Sequence, residues 1–375
     1  MTSVLVVNAG SSSLKVGVLG PDGVVAAELN LDHWDGRADH DELRQFLRGQ
    51  AGVDGIGHRV VHGGRQFTRA TVINDDVCAG IAALTDLAPP HQPRALAGIA
   101  AAAAALPGVP AVACFDTAFH AGIPPAAATY ALPGAWIQRF GLRRYGFHGL
   151  SHQYASRRAA ELLGQDLGAV RIVTCHLGSG SSLAAVRGGA SVDTTMGFTP
   201  LEGLVMATRS GTVDPGLLIW LLQGGGLSLG EVAAGLEESS GLAGLAALPG
   251  GSGDMREVRA AAAAGSPAAQ LALDVHAHRL RAEIAAMAAA LGGLDALAFT
   301  GGIGEHQPAA RAEAATGLGF LGIELDPARN DAVAADADIS AATARVRTLV
   351  VAAREDLEIA RQVRAALGPA GPAIG

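Results

Sequence analysis

The chain has 375 residues, of which 49% are hydrophobic and 17% charged, and its formal net charge is −8. That balance excludes a disordered chain and leaves length for two domains around a sizeable core. The surplus of acid, with no basic stripe interleaved with aromatics, argues against nucleic acid as a partner.

Cys78, Cys114 and Cys175 are far apart and form no CxxC pair, so they read as buried free thiols of a reducing compartment. The start, MTSVLVVNAG, lacks the basic region of a secretory signal. Residues 95–115 and 117–138 lack Asp, Glu, Lys and Arg, but prolines break both runs, so neither reads as a membrane span. The expected location is the cytoplasm.

In chain order, the first element is an apolar run, a Gly/Ser turn and a second apolar run, VLVVNAGSSSLKVGVL over 4–19. The phrase returns as IVTCHLGSGSSLAAVR over 172–187, so the chain reads as two related halves, each opened by a hairpin. Ungapped, Asn8 falls on His176, Gly10 on Gly178, Ser11 on Ser179 and Ser13 on Ser181. Leu14 falls on Ser182 and reaches Leu183 only after a one-residue slip. Small residues let a turn's N–H groups approach phosphate oxygens, so both loops read as phosphate-binding, although Gly/Ser turns are common in ordinary hairpins. Lys15, beside the first loop, is the only lysine in the chain.

Between the hairpins the pattern predicts a helix near Asp41–Arg48, a strand at Gly55–Val61, helices at Asp75–Leu87 and Arg94–Leu106, and a buried strand at Ala111–Phe115 ending on Asp116. A helix follows at Ser151–Leu163 with Ser151 as its cap. Beyond the second hairpin, helices are expected at Pro215–Gln223, Ser228–Glu238, Met255–Ala264 and Pro267–Leu291, the second opened by a Ser228/Glu231 capping box. Ala296–Thr300 reads as a buried strand ending in a glycine loop, GGIGE, and Arg347–Val351 as a strand leading through Glu355 into a last helix. Strands alternating with helices make the fold class α/β. His58/His62 and His148/His152 have i,i+4 spacing, but no HExxH pattern appears and His58 lies in a strand, which argues against a helical zinc pair. There is no GxxxxGK[ST] either.

Ten segments together carry a more specific signal: NAGSSSLK (8–15), HRVVHGG (58–64), FDTAFH (115–120), YGFHG (145–149), HLGSGSS (176–182), MGFTPLEGL (196–204), TRSGTVDPG (208–216), DMR (254–256), FTGGIGE (299–305) and EDLEIAR (355–361). In identity and order they resemble the motifs of the acetate kinase family. The resemblance implies two ribonuclease-H-like, actin-like ATPase domains with an active-site cleft between them, one formed by residues 1–120 and 357–375, the other by 121–356. It also implies a homodimer. The implied reaction is reversible transfer of a phosphoryl group from ATP to acetate, with Mg²⁺, or Mn²⁺ as an alternative.

That reaction explains the residue types. A carboxylate acceptor, with a pKa of roughly 4–5, is already ionised at neutral pH. It needs no general base; it needs cations to offset repulsion from the phosphoryl oxygens. The resemblance assigns that task to Arg59 and Arg209, with His148 donating a hydrogen bond to the same oxygens. Asp116 orients an arginine or the metal and attacking group, and Asn8 and Glu355 help hold the metal. Asn8, Ser11, Ser13, Lys15, His176, Gly178, Ser179 and Gly180 line the phosphate path. Asp254, Met255 and Arg256 flank the adenosine, together with Gly301, Gly302, Ile303 and Gly304. Val61, Pro90, His91, Phe147 and Pro200 form the acyl pocket.

The chain departs from the family pattern at several points. Pro90 and Gln92 stand where LAPLHNP has leucine and asparagine, so a propionate or other short-chain acyl kinase is the alternative reading. Arg65 replaces the usual glutamate after HGG. Ser179 and His306 replace asparagines, the stretch between Lys15 and His58 is short, and a Gly/Pro-rich insertion at 246–253 precedes DMR. A non-catalytic ATP-binding protein of the same superfold is the third reading.

Overall fold

The structure is a computed structural model that describes residues 3–10, 13–34, 36–50, 52–334 and 336–368. The chain divides into two units, one of residues 1–121, 147–154 and 354–375, the other of 122–146 and 155–353.

The first unit is built on β1 (Val4–Ala9), β2 (Leu14–Leu19), β3 (Val25–Leu31), β4 (Gly55–Val60), β5 (Thr71–Val72) and β6 (Ala111–Phe115). Their order is β3-β2-β1-β4-β6-β5; β1–β2, β2–β3 and β5–β6 are antiparallel, β1–β4 and β4–β6 parallel. The second unit uses β7 (Arg171–Leu177), β8 (Ser181–Arg187), β9 (Ala190–Thr194), β10 (Ala296–Thr300), β11 (Ala337–Asp338) and β12 (Arg347–Val350). Read from β9, its order is β9-β8-β7-β10-β12-β11, with the same senses at every pairing. The duplication read from the two hairpins is therefore a duplication of the whole sheet.

Each central strand is an apolar run because both of its faces are covered. In the first unit the helix Glu355–Leu367 lays Ile359, Ala360 and Val363 on Val4, Val6, Val112 and Cys114. Gly55 and Gly57 in β4 make that approach possible: a Cβ on Gly57 would overlap Ile359 and come within 2.7 Å of Val363. In the second unit the helix Pro267–Leu291 sets Leu280, Ile284, Met287 and Leu291 against Val173, Cys175, Leu183, Ala185, Leu297 and Phe299.

Four local expectations change. The hairpin tips differ in length: Ala9 pairs with Leu14, whereas Leu177 pairs with Ser181. The second tip is thus one residue shorter, opposite in direction to the slip that would match Leu14 to Leu183. Ser13 closes the first tip by accepting from Gly10 N (2.8 Å), a role Gly180 takes for Gly178 (3.1 Å), while Ser181 already belongs to β8. GGIGE is no loop; Gly301–His306 is a helix whose first N–H, on Gly301, donates to the Glu305 carboxylate at 3.0 Å. The helix expected from Ser151 starts at Gly149, whose N–H donates to the Asp116 carbonyl (2.9 Å). Finally, Asp75–Leu87 divides into an α-helix, Asp75–Ala82, and a 3₁₀ turn, Thr85–Leu87. The Ser228/Glu231 capping box forms as expected.

Candidate active site

In the first unit, residues far apart in sequence meet at the carboxyl ends of the parallel strands β1, β4 and β6, the edge where open α/β sheets bind ligands. Arg59 Nε lies 3.1 Å from both oxygens of Asp116, and Arg59 Nη2 donates to Asp116 Oδ2 at 2.7 Å. Arg59 Nη1 donates to Asn8 Oδ1 (3.1 Å) and stands 3.5 Å from Glu355 Oε2, which also accepts from Asn8 Nδ2 (3.1 Å). The side chains of Arg59, Asp116 and Glu355 are 15%, 2% and 16% exposed. Burial works against the Arg59 charge, but the Asp116 and Glu355 carboxylates more than offset it and hold its pKa above the ordinary value. Burial pushes the Asp116 carboxyl upward, while the Arg59 charge and hydrogen bonds oppose this.

The same unit sets the YGFHG end nearby in a strained form. His148 has φ +55°, a left-handed conformation uncommon outside glycine and concentrated at functional sites. A Cβ on the next residue, Gly149, would overlap the Asp116 carbonyl, so the His-Gly order is dictated by close approach. Phe147 is buried; its ring meets His62 edge-on at 5.5 Å and its carbonyl lies 3.0 Å from His120 Nε2. Val61 is buried too. Pro90 has another setting: it is exposed and lines a groove of about 300 Å³ with Gly36, Pro89, Pro93 and Arg94, while His91 is half-buried before the helix Gln92–Ala105. The departure at Gln92 acquires a purpose. This fully buried amide donates to the His62 carbonyl (3.0 Å) and accepts from His62 N (3.4 Å), bracing the HGG turn. Sequence reasoning saw the change but not the brace, because the partners lie thirty residues apart.

Lys15 is exposed and sits across the strand pair from Asn8. Ser13 is half-buried. Ser11 lies outside the described residues.

The second unit holds a pocket of about 280 Å³ whose walls are Gly178, Ser179, Ala207, the segment 253–256, Gly302, Ile303, His306 and Gln307. Both adenosine-side motifs named from the sequence contribute to it, through Asp254, Met255, Arg256, Gly302 and Ile303 but not Gly301 or Gly304; His306, a departure from the family pattern, lines it too, and Gln307 is an addition. Asp254 caps its helix by accepting from Arg256 N (2.8 Å) and is also clasped by the Arg256 guanidinium, which holds its pKa down to about 2. Gly301 has φ +79°, and a Cβ there would stand 2.8 Å from the Leu177 carbonyl. His176 occupies the penultimate place in β7, as Asn8 does in β1.

Arg209 differs from Arg59. Its Nη1 donates to the Pro200 carbonyl at 2.7 Å, and among the described residues no carboxylate pairs with it. Burial pushes its pKa down, with only the more distant Glu237 opposing. A half-buried guanidinium that lacks an anion is a site for one.

Metal chemistry has modest means here. No group of three or more His, Cys, Asp or Glu side chains among the described residues could hold an ion. The Asn8 oxygen and the Glu355 carboxylate are hard donors in one cluster, and two such oxygens suit Mg²⁺, which takes its other ligands from water and phosphate. No described helix is long and apolar enough to cross a membrane.

The Acetokinase family model matches residues 36–361. The acetate kinase of Nostoc punctiforme is 52% identical over 309 residues, which are 82% of this chain and 75% of that protein. Among solved structures, Porphyromonas gingivalis acetate kinase superposes with a TM-score of 0.90 at 35% identity, covering 98% of this chain and all of the other. A propionate kinase from Francisella tularensis superposes with a TM-score of 0.88 at 35% identity, covering 97% and 99%.

Proposed function

The chain belongs to the acetokinase family, and from that premise we propose that it phosphorylates acetate with ATP, reversibly, by direct in-line transfer. One observation carries this reading: Arg209 is a half-buried cation with no carboxylate partner among the described residues, while Arg59 is held by Asp116 with its fork already fixed. Charge on a transferring phosphoryl group is what an uncompensated guanidinium stabilises, and a preset one costs no reorganisation during the reaction.

In this reading the second unit's pocket takes the nucleoside and Arg209 meets the phosphoryl oxygens. Arg59 faces the acetate carboxylate, His148 donates a hydrogen bond to the phosphoryl group, and Val61 and Phe147 exclude water around the methyl. Lys15, Ser13, His176 and the two Gly/Ser tips line the phosphates. Asn8 and Glu355 would hold Mg²⁺, which when bound neutralises phosphate charge. The acceptor arrives ionised, so no side chain has to remove a proton.

The test is acyl phosphate formation with ATP and Mg²⁺, trapped as hydroxamate, across formate, acetate, propionate and butyrate. A maximum at acetate is expected. A maximum at propionate would keep the mechanism and change the substrate, a reading favoured by the likeness to a propionate kinase and by the exposed Pro90. No product with any acid, despite ATP binding, would overturn the reading and leave a nucleotide-binding protein.

We also propose a cytoplasmic homodimer. The helix Pro215–Gln223 exposes Leu217, Ile219, Trp220 and Leu222, and Leu227 and Leu229 extend the patch; Trp220 is 60% exposed. Contiguous apolar surface of this kind marks a protein interface. Trp220→Glu is expected to convert the dimer to a monomer in light scattering coupled to gel filtration; an unchanged mass would remove this helix from the interface.

A further inference from the structure

The segment 195–202 of the second unit is held by three side chains. Glu202 Oε2 accepts from the Tyr130 hydroxyl at 2.6 Å, and Glu202 Oε1 accepts from Arg144 Nη2 at 2.7 Å. The Tyr130 oxygen in turn accepts from Phe198 N (2.8 Å), and Arg144 Nη1 donates to the carbonyls of Thr195 and Met196, each at 3.1 Å. Arg144 also lies over the Tyr130 ring, 5.5 Å from its centre. The Gly197 carbonyl accepts from Tyr145 N (3.0 Å) and Gly146 N (3.2 Å). A Cβ at Gly197 would overlap both the Glu202 carboxylate and the Tyr130 oxygen, so glycine is required where the three groups converge.

The network leads to the reaction through one bond. Pro200, between Phe198 and Glu202, offers the carbonyl that takes Arg209 Nη1 at 2.7 Å. Among the described residues no carboxylate pairs with Arg209, so this bond is the described anchor of its guanidinium. Burial, followed by the Glu202 contact, raises the Tyr130 pKa, so the hydroxyl remains a neutral donor across the working range of pH. The Glu202 side chain is 32% exposed, and a partly exposed ion pair adds little to global stability. With Tyr130 this pair instead anchors three backbone positions, Thr195, Met196 and Phe198, as a local brace.

We propose that Glu202, with Tyr130 and Arg144, is a positioning device that aims Arg209 through the Pro200 carbonyl. The inference rests on Arg209 meeting the transferring phosphoryl group.

Two variants test it, Tyr130→Phe and Glu202→Gln, each nearly isosteric and each removing one arm. Both are expected to lower kcat about tenfold or more, since small misplacements of a catalytic group are costly. KM for ATP should stay within about twofold and the melting temperature within a few degrees, because the adenosine pocket and core are untouched. A direct readout accompanies the kinetics: the Nε–Hε resonance of Arg209, assigned by its loss in Arg209→Lys, should shift or broaden in both variants. Unchanged kcat in both folded variants would overturn the proposal. So would an unmoved resonance, or a kcat loss matched by an equal loss of folded protein. Should the unaltered enzyme make no acyl phosphate from any acid, the functional reading fails by itself, and the resonance alone then decides: displaced, the brace stands; unmoved, it falls.

Discussion

Arg209→Ala is expected to lower kcat by about 10³-fold or more while the protein melts within a few degrees of the unaltered chain. The structure separates this outcome from that of the other arginine. Arg209 gives one described hydrogen bond, to a carbonyl, and its charge is already disfavoured by burial. Removing it therefore costs the fold little and the transition state its main cation. Arg59→Ala is expected to lose both activity and stability. It would strand Asp116, whose side chain is 2% exposed, as an uncompensated buried carboxylate, at a cost of about 3–5 kcal/mol. It would also take the Arg59 donor from Asn8 Oδ1 and remove the guanidinium that stands 3.5 Å from Glu355. Turnover and the urea midpoint, measured together on both variants, decide the matter. If Arg209→Ala destabilised as much as Arg59→Ala, or kept more than about a tenth of kcat, the assignment of Arg209 to the phosphoryl group would fail.

The contrast between the arginines also shows what the sequence could carry. Local patterns were legible because they are enforced locally. Alternating apolar runs around small turns gave both hairpins, and a serine three residues before a glutamate gave a true capping box. The motif order gave the family and brought together residues that line the second unit's pocket. Pairings across the chain were not legible: Arg59 meets Asp116 fifty-seven residues away, and nothing near either residue announces the other. GGIGE looked like a loop because glycine is a poor helix former. It is a helix because Glu305, at the end of the motif, caps its own first turn. Glu202 was overlooked although it stands inside MGFTPLEGL. A carboxylate in an otherwise apolar, glycine-bearing segment was the available signal, but its partners, Tyr130 and Arg144, lie 72 and 58 residues away. Neither hairpin alignment survived, for a related reason: identity set serine over serine without a gap and leucine over leucine after the slip, whereas strand pairing, set by which residue closes the turn, puts Ser181 in the place of Leu14.

Acid should unfold this protein well before its ion pairs titrate. His58, His62 and His120 in the first unit and His276 in the second are buried, and burial lowers their pKa values to about 3, 4, 4 and 4. For His120 a bond to the Phe147 carbonyl opposes the shift, and at His62 Nδ1 the Gly64 N–H donates (2.9 Å), which requires an unprotonated nitrogen. In the unfolded chain these rings take up protons below about pH 6.5, whereas in the fold they do not until pH 4 or lower. The unfolded state therefore binds more protons throughout that window, and stability falls as pH falls, by about 1.4 kcal/mol per histidine per pH unit. At pH 5 the four together remove about 8 kcal/mol, comparable with the whole stability of an ordinary domain. Carboxylates held low by arginine, such as Asp254, lose their contribution only nearer pH 2. The expected result is a plateau in urea midpoint above about pH 7 and a steep decline between pH 6.5 and 5. His58 offers the sharpest check, since neither of its ring nitrogens has a hydrogen-bond partner among the described residues. His58→Leu replaces a desolvated polar ring by an apolar side chain, so it should not destabilise at pH 7.5 and should flatten the decline by up to about 1.4 kcal/mol per pH unit. An unchanged slope would mean that His58 is protonated equally in both states, and its burial would then have no part in the acid sensitivity.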